Sequence, residues 1–82
     1  MPEPNLTLYV RRDCHLCAEM HAELEQVRAG LGFALELVDV DADPALAARY
    51  GHKVPVLAAG DFEICHYFLD QAELRAWLES GR

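Results

Sequence analysis

Two thiols three residues apart, Cys14 and Cys17, are the side chains of this chain best suited to do chemistry. They stand in Cys14-His15-Leu16-Cys17, directly after a β-rich run and at the start of a helical pattern. A cysteine at a helix N-terminus meets amide N–H groups that lack helical partners, and the aligned peptide dipoles place about half a positive charge there. Both features favour thiolate over thiol, and cysteines so placed have pKa values lowered to roughly 3.5–7.5. The thiolate is the species that attacks a disulfide sulfur. Residues three apart are neighbours on a helix, so Cys17 can reach the Cys14 sulfur. The expected cycle starts with attack by Cys14 to form a mixed disulfide. Cys17 then displaces the product and leaves Cys14–Cys17 oxidised. The same spacing could be half of a zinc site, but a strand before it and a helix after it favour redox chemistry.

The neighbours of the pair act in both directions. His15 is either a local cation that favours the Cys14 thiolate or an exposed neutral ring. Asp13 opposes the thiolate, and Arg11 and Arg12 can offset Asp13. His21, four residues after Cys17, gives Cys-x-x-Cys-x-x-x-His, which has metal-ligand flavour. Its expected role is a helix histidine at the core boundary. Cys65-His66 could complete a ligand set, but alternation along a strand sends adjacent side chains to opposite faces. Cys65 therefore reads as a small buried hydrophobe. Asp39, Asp41 and Asp43 lack the glycine and glutamate of a calcium loop and read as a solvated acidic loop. No bound metal or cofactor is expected.

The elements that must position the pair follow from periodicity. Leu6 to Val10 is a strand, and residues 1–5, with two prolines, are expected to fray. Cys17, Met20, Leu24, Val27 and Leu31 form one helical stripe, ended by Gly30 and Gly32. Phe33 to Val40 is a mostly apolar strand, which suits coverage on much of both faces. Asp43 caps a short helix with Pro44 at its first position, and Gly51 is expected as its left-handed stop. Val54 to Ala58 is a third strand with a proline near its start. Gly60-Asp61 turns into Phe62 to His66. Asp70 and Glu73 resemble a capping box, flanked by the staple pair Leu69 and Leu74. Leu74, Trp77 and Leu78 form that helix's buried stripe, which Gly81 ends. The order is β-α-β-α-β-β-α. The third strand can run parallel or antiparallel to the first, and periodicity does not decide between them.

Length and charge bound the rest. The chain has 82 residues, enough for one domain spanning 1–82. Its net charge of −7 and its lack of a Lys/Arg cluster argue against a nucleic-acid partner. No stretch approaches the roughly 20 apolar residues of a membrane span. Three cysteines are an odd number, which argues against a framework of structural disulfides. The first residues show neither the basic nor the apolar region of a secretory signal, so a reducing cytoplasm is the expected compartment. One Lys against six Arg, with twelve Ala and twelve Leu, fits a GC-rich bacterial coding sequence.

The strand Leu6–Val10, the Cys14–Cys17 motif opening a helix, then Val54-Pro55, a hairpin and a last helix resemble the thioredoxin-fold family. The glutaredoxin branch is the nearest, and the resemblance runs from Leu6 to about Ser80. It implies an α/β fold with a four-stranded mixed sheet and helices on both faces. It implies a cis bond before Pro55, and Val54 pairing its backbone with an extended substrate. Glutaredoxins carry a lysine three residues before the first cysteine, which contacts a glutathione carboxylate. Arg11 holds that place here and could bond such a carboxylate through its fork. The sequence departs from the branch at His15-Leu16, where glutaredoxins have Pro-Tyr and thioredoxins Gly-Pro. It departs again at Glu63-Ile64-Cys65-His66-Tyr67, where glutaredoxins have a Gly-Gly pair that binds the other end of glutathione.

The resulting expectation is a monomeric dithiol–disulfide oxidoreductase serving cell redox homeostasis. Cys14 and Cys17 would be catalytic, and Arg11, Val54 and Pro55 would bind substrate. Its substrates would be protein or low-molecular-weight disulfides, with glutathione as a candidate co-substrate. The alternatives are a non-catalytic thioredoxin-fold binding module and a zinc-binding domain.

Overall fold

The computed structural model describes residues 3–80. Its elements are β1 (Asn5–Val10), α1 (His15–Leu31), β2 (Ala34–Asp39), a 3-10 turn (Val40–Ala42), α2 (Pro44–Tyr50), β3 (Val56–Ala59), β4 (Phe62–His66) and α3 (Gln71–Glu79). The four strands form one sheet in the order β2-β1-β3-β4. β1 runs parallel to β2 and antiparallel to β3, and β3 runs antiparallel to β4. This resolves the direction that periodicity leaves open. A β-α-β unit gives the parallel pair, while α2 returns the chain on the other side of β1 in the opposite sense.

The strands' alternation sorts side chains onto two faces. On one face Leu6 and Leu8 of β1, Leu57 of β3 and Ile64 of β4 join Phe33, Met20, Leu24 and Leu74 in the main core. Cys17, Met20 and Leu24 are the buried residues of the α1 stripe, and Val27 and Leu31 pack against the core beside them. Trp77 and Leu78 of α3 do the same. On the other face Tyr50 and Leu46 of α2 pack with Val40, Val56 and Tyr9 in a smaller cluster. There Tyr9 and Tyr50 stack with centroids 4.3 Å apart, under the Arg49 guanidinium. Burying each leucine fully contributes about 1.5–3 kcal/mol, so most of the stability lies on the α1/α3 face.

Local chemistry sets most element ends as expected. Asp43 accepts from the Ala45 N–H, and Asp70 accepts from the Glu73 N–H. Several ends differ. Asn5 is already in β1, and the Pro4 carbonyl accepts from the Ala34 N–H, so pairing with the β2 segment orders part of the stretch expected to fray. Met1 and Pro2 lie outside the described residues, as does the expected stop Gly81. Gly30 lies inside α1, and Gly32 alone ends it, with φ 78° and its N–H on the Arg28 carbonyl. Val40 leaves β2 for the 3-10 turn, and β3 begins at Val56 rather than Val54.

Two expectations are overturned for tertiary reasons. β2 is an edge strand, and Glu36 and Leu37 are exposed, so it is not covered on both faces. Gly51 is right-handed, with φ −57° and ψ −30°, and so is not a left-handed stop. Its need for a bare Cα comes from crowding. A Cβ there would stand 2.5 Å from the Ala47 carbonyl oxygen and 2.7 Å from Arg11 Nη2.

Candidate active site

The register brings the predicted site residues to one end of the sheet. Tyr9 of β1 pairs with Val56 of β3 in antiparallel sense. The chain therefore leaves β1 toward Cys14 at the end where Val54-Pro55 leads into β3. The Val54–Pro55 bond is cis. Pro55 is buried and its carbonyl accepts from the Tyr67 N–H, while Val54 packs against the α2-face cluster.

Between β1 and α1, Asp13 adopts φ 55°, a left-handed conformation that Asp tolerates better than most residues. The turn delivers Cys14 to the N-cap of α1, in extended backbone. The Cys17 N–H donates to Cys14 Sγ at 3.1 Å, so a sulfur fills the role usually played by a capping oxygen. The two cysteines are joined as a disulfide, with Cα atoms 5.2 Å apart. The pair is asymmetric. Cys14 is half-buried, whereas Cys17 is buried on the α1 stripe.

An open groove of about 560 Å³ flanks the pair. It lies between the first turns of α1 and β2, and Val10, Ala18 and Leu37 give it apolar walls. Leu37 follows Leu35 by two positions, so it shares that residue's face of the sheet. Leu35 packs against the core, whereas Leu37 stays 46% exposed, facing the groove. His15 and His21 also line the groove. His15 pairs with Glu19 at 2.8 Å and His21 with Glu25 at 3.6 Å, each one turn along the helix.

Two basic residues near the site, Arg11 and Lys53, are already engaged. Arg11 lines the groove, but its Nε and Nη2 donate to the two carboxylate oxygens of Asp41 and its Nη1 to the Gly51 carbonyl. Lys53, immediately before Val54, donates to Glu63 at 2.6 Å, and His66 sits 2.6 Å from the other Glu63 oxygen. The Lys53 hydrogen bond is the main cause that holds the Glu63 carboxyl below its ordinary pKa, and His66 adds to it. Arg12 is exposed.

The acidic loop is therefore not simply solvated. Asp39 accepts from the Asp41 N–H, Asp41 holds Arg11, and Asp43 caps α2. Sequence reasoning missed Asp41, Glu63 and Leu37 as parts of the site. The placement of Leu35 and Leu37 on one face could have flagged Leu37, but nothing local marks Asp41 as the partner of a residue thirty positions away.

Cys65 is half-buried on β4 against the main core, and burial pushes its thiol pKa up. Among the described residues no cluster of three or more His, Cys, Asp or Glu is placed to hold a metal ion. Among them, too, no helix is long and apolar enough to cross a membrane.

A family model described as Glutaredoxin-like domain (DUF836) matches residues 5–79. The chain belongs to the glutaredoxin-like family. The solution structure of protein Ne2328 from Nitrosomonas europaea is 38% identical, with 94% of this chain and 93% of that one aligned and a TM-score of 0.83. Protein XcR50 from X. campestris is 45% identical over 92% of this chain and 96% of its own, with a TM-score of 0.70. Thioredoxin 1 from Thermosipho africanus is 18% identical over 94% and 92%, with a TM-score of 0.63, a likeness of fold alone. This glutaredoxin-like domain thus has the thioredoxin fold that the order of its motifs predicts, with a cysteine pair at disulfide distance where the first strand meets the first helix.

Proposed function

We propose that this glutaredoxin-like domain is a dithiol–disulfide oxidoreductase, with Cys14 as nucleophile and Cys17 as resolving thiol. The supporting observation is the N-cap placement of Cys14, whose Sγ accepts the Cys17 N–H. In the reduced protein that donor and the helix dipole stabilise a thiolate. The half-buried Cys14 can meet a substrate, while the buried Cys17 is reached from Cys14.

The reaction balances in two displacements. The Cys14 thiolate bonds to one sulfur of a substrate disulfide, whose S–S bond breaks, and the other sulfur leaves and takes a proton. The Cys17 thiolate then bonds to Cys14 Sγ and expels the first substrate sulfur, which leaves as a thiol. The protein dithiol is oxidised to the disulfide, and the substrate disulfide is reduced to thiols in a two-electron exchange. An external thiol or dithiol reductant returns the pair to its starting state. In a reducing cytoplasm the net direction is reduction, in the service of redox homeostasis. Val54 and Pro55 supply the edge along which an extended substrate lies. Arg11 shapes the groove beside the sulfurs.

A redox titration tests this reading. A reversible Cys14–Cys17 couple between roughly −270 and −120 mV is expected. A pair that stays inert across that range would instead favour a docking module without turnover. One observation favours that second reading: Tyr67 and Phe68, next to the Pro55 edge, are 41% and 68% exposed.

A further inference from the structure

The Arg11 guanidinium carries an inference about how the two halves of the site are held together, and it rests on the oxidoreductase reading. We infer that Arg11 is a positioning residue. By gripping Asp41 and Gly51 it holds the Cys14 arm in register with the Val54–Pro55 edge, and it is not a ligand for the substrate.

The need for such a link follows from where the sheet ends. β1 pairs with β2 as far as Val10 and Asp39, and with β3 as far as Tyr9 and Val56. Arg11, Arg12 and Asp13, which lead to Cys14, lie beyond both ladders. So do Val54 and Pro55, which lead into β3. The sheet thus anchors one end of each segment and leaves the parts that meet a substrate to be fixed by other contacts.

Arg11 supplies one that spans the gap. Its Nε and Nη2 donate to the two Asp41 oxygens at 3.1 and 3.0 Å, and its Nη1 donates to the Gly51 carbonyl at 3.1 Å. Both anchors are themselves held. The Asp41 N–H donates to Asp39, and the Gly51 N–H donates to the Ala47 carbonyl of α2. Only His52 and Lys53 separate Gly51 from Val54, and the Lys53 N–H donates to the Tyr50 carbonyl. A planar fork fixes direction as well as distance. Gly51 is buried, and a Cβ on it would stand 2.7 Å from Arg11 Nη2, so the guanidinium is seated against a bare Cα. The Arg11 and Asp41 side chains are 40% and 49% exposed. An ion pair so exposed adds little to stability, which leaves the geometry it imposes as its larger effect. A substrate carboxylate would have to displace Asp41 to be received by the fork.

The test uses the whole chain, reduced and freed of reductant, in single turnover. Two uncharged disulfides are compared. One is bis(2-hydroxyethyl) disulfide, too small to lie along the Val54–Pro55 edge while bonded to Cys14. The other is a capped cystine peptide with several uncharged residues on each side of its cysteine. The readout is the ratio of the peptide rate to the small-disulfide rate, in which any change in the Cys14 thiolate population cancels. Arg11→Met should lower that ratio about tenfold, because small misplacements of reacting groups cost rate steeply. Asp41→Ala should lower it by part of that. The double variant should be no worse than Arg11→Met, since two halves of one contact do not add. Melting temperatures should change little. The inference is overturned if Arg11→Met leaves the ratio unchanged, whether or not the variant is less stable, or if Asp41→Ala raises it. It is also overturned if Asp41→Ala, which frees the fork, speeds oxidised glutathione relative to the small disulfide, because Arg11 would then be a ligand. Any of these results with an active wild-type protein would leave the oxidoreductase reading standing. A wild-type protein that reduces none of the three disulfides would remove that reading, and this inference with it.

Discussion

Cys14 and Cys65 are the same side chain in opposite surroundings. Cys14 caps a helix, accepts an N–H on its sulfur, and has its partner thiol within bonding reach. Cys65 lies in the edge strand β4, packed against the core beside the Asp70 N-cap of α3, and burial favours its neutral form more than the Asp70 backbone donor favours its thiolate. The contrast shows that residue type alone assigns no chemistry to a cysteine. Burial weighed against the donors around the sulfur decides whether a thiolate is stabilised or suppressed.

The largest test of that contrast is loss of turnover. Cys14→Ser should reduce disulfide reduction to background, and Cys17→Ser should stop turnover while accumulating a mixed disulfide on Cys14, visible as an added mass. Cys65→Ser should keep most of the activity and cost about 1 kcal/mol of stability, since a hydroxyl replaces a half-buried thiol. Full activity in Cys14→Ser would erase the distinction between the two sites.

A smaller effect is reactivity. In the reduced protein, alkylation of Cys14 should follow a pH profile lying below that of Cys65. Each unit between the two pKa values is about a tenfold difference in thiolate at a fixed lower pH. Mass-resolved alkylation from acid to alkaline pH measures both profiles at once, and coincident midpoints would contradict the contrast.

The smallest effect concerns the charges that hold the Cys65 strand. Glu63, two residues before Cys65, has its carboxyl pKa depressed by Lys53 and His66 in the folded state. Its contribution to stability is therefore present above the unfolded carboxylate pKa, and is lost as pH falls through the lower folded value. Glu63→Gln should flatten the acid limb of a denaturation-versus-pH curve by a fraction of the total and leave the Cys14 alkylation profile unchanged.

Much of this was legible in the sequence, because it is local. The Cys14 position, the Asp43 and Asp70 caps, the α1 stripe and the order of elements each depend on residues a few positions apart. What the sequence hid depends on long-range approach. Arg11 meets Asp41 across thirty positions and Gly51 across forty. A glycine after a short helix suggests a left-handed stop, whereas Gly51 lacks a side chain because a guanidinium and a carbonyl occupy that space. The same limit explains β2. An apolar run does not reveal whether it will sit at the centre or the edge of a sheet, and here the edge leaves Leu37 beside the redox pair.

The sheet order has a consequence for how the molecule opens. β1, from which the Cys14 loop departs, is flanked by β2 on one side and β3 on the other, whereas β2 and β4 are the outer strands. Local opening of a sheet starts where amides have a free side and reaches the interior only near global unfolding. Slow-exchanging amides should therefore concentrate on β1 and on β3, which lies between β1 and β4, and the rims can fray and reclose many times without shifting the anchor of the sulfur pair. The site is mounted on the part of the protein that lets go last.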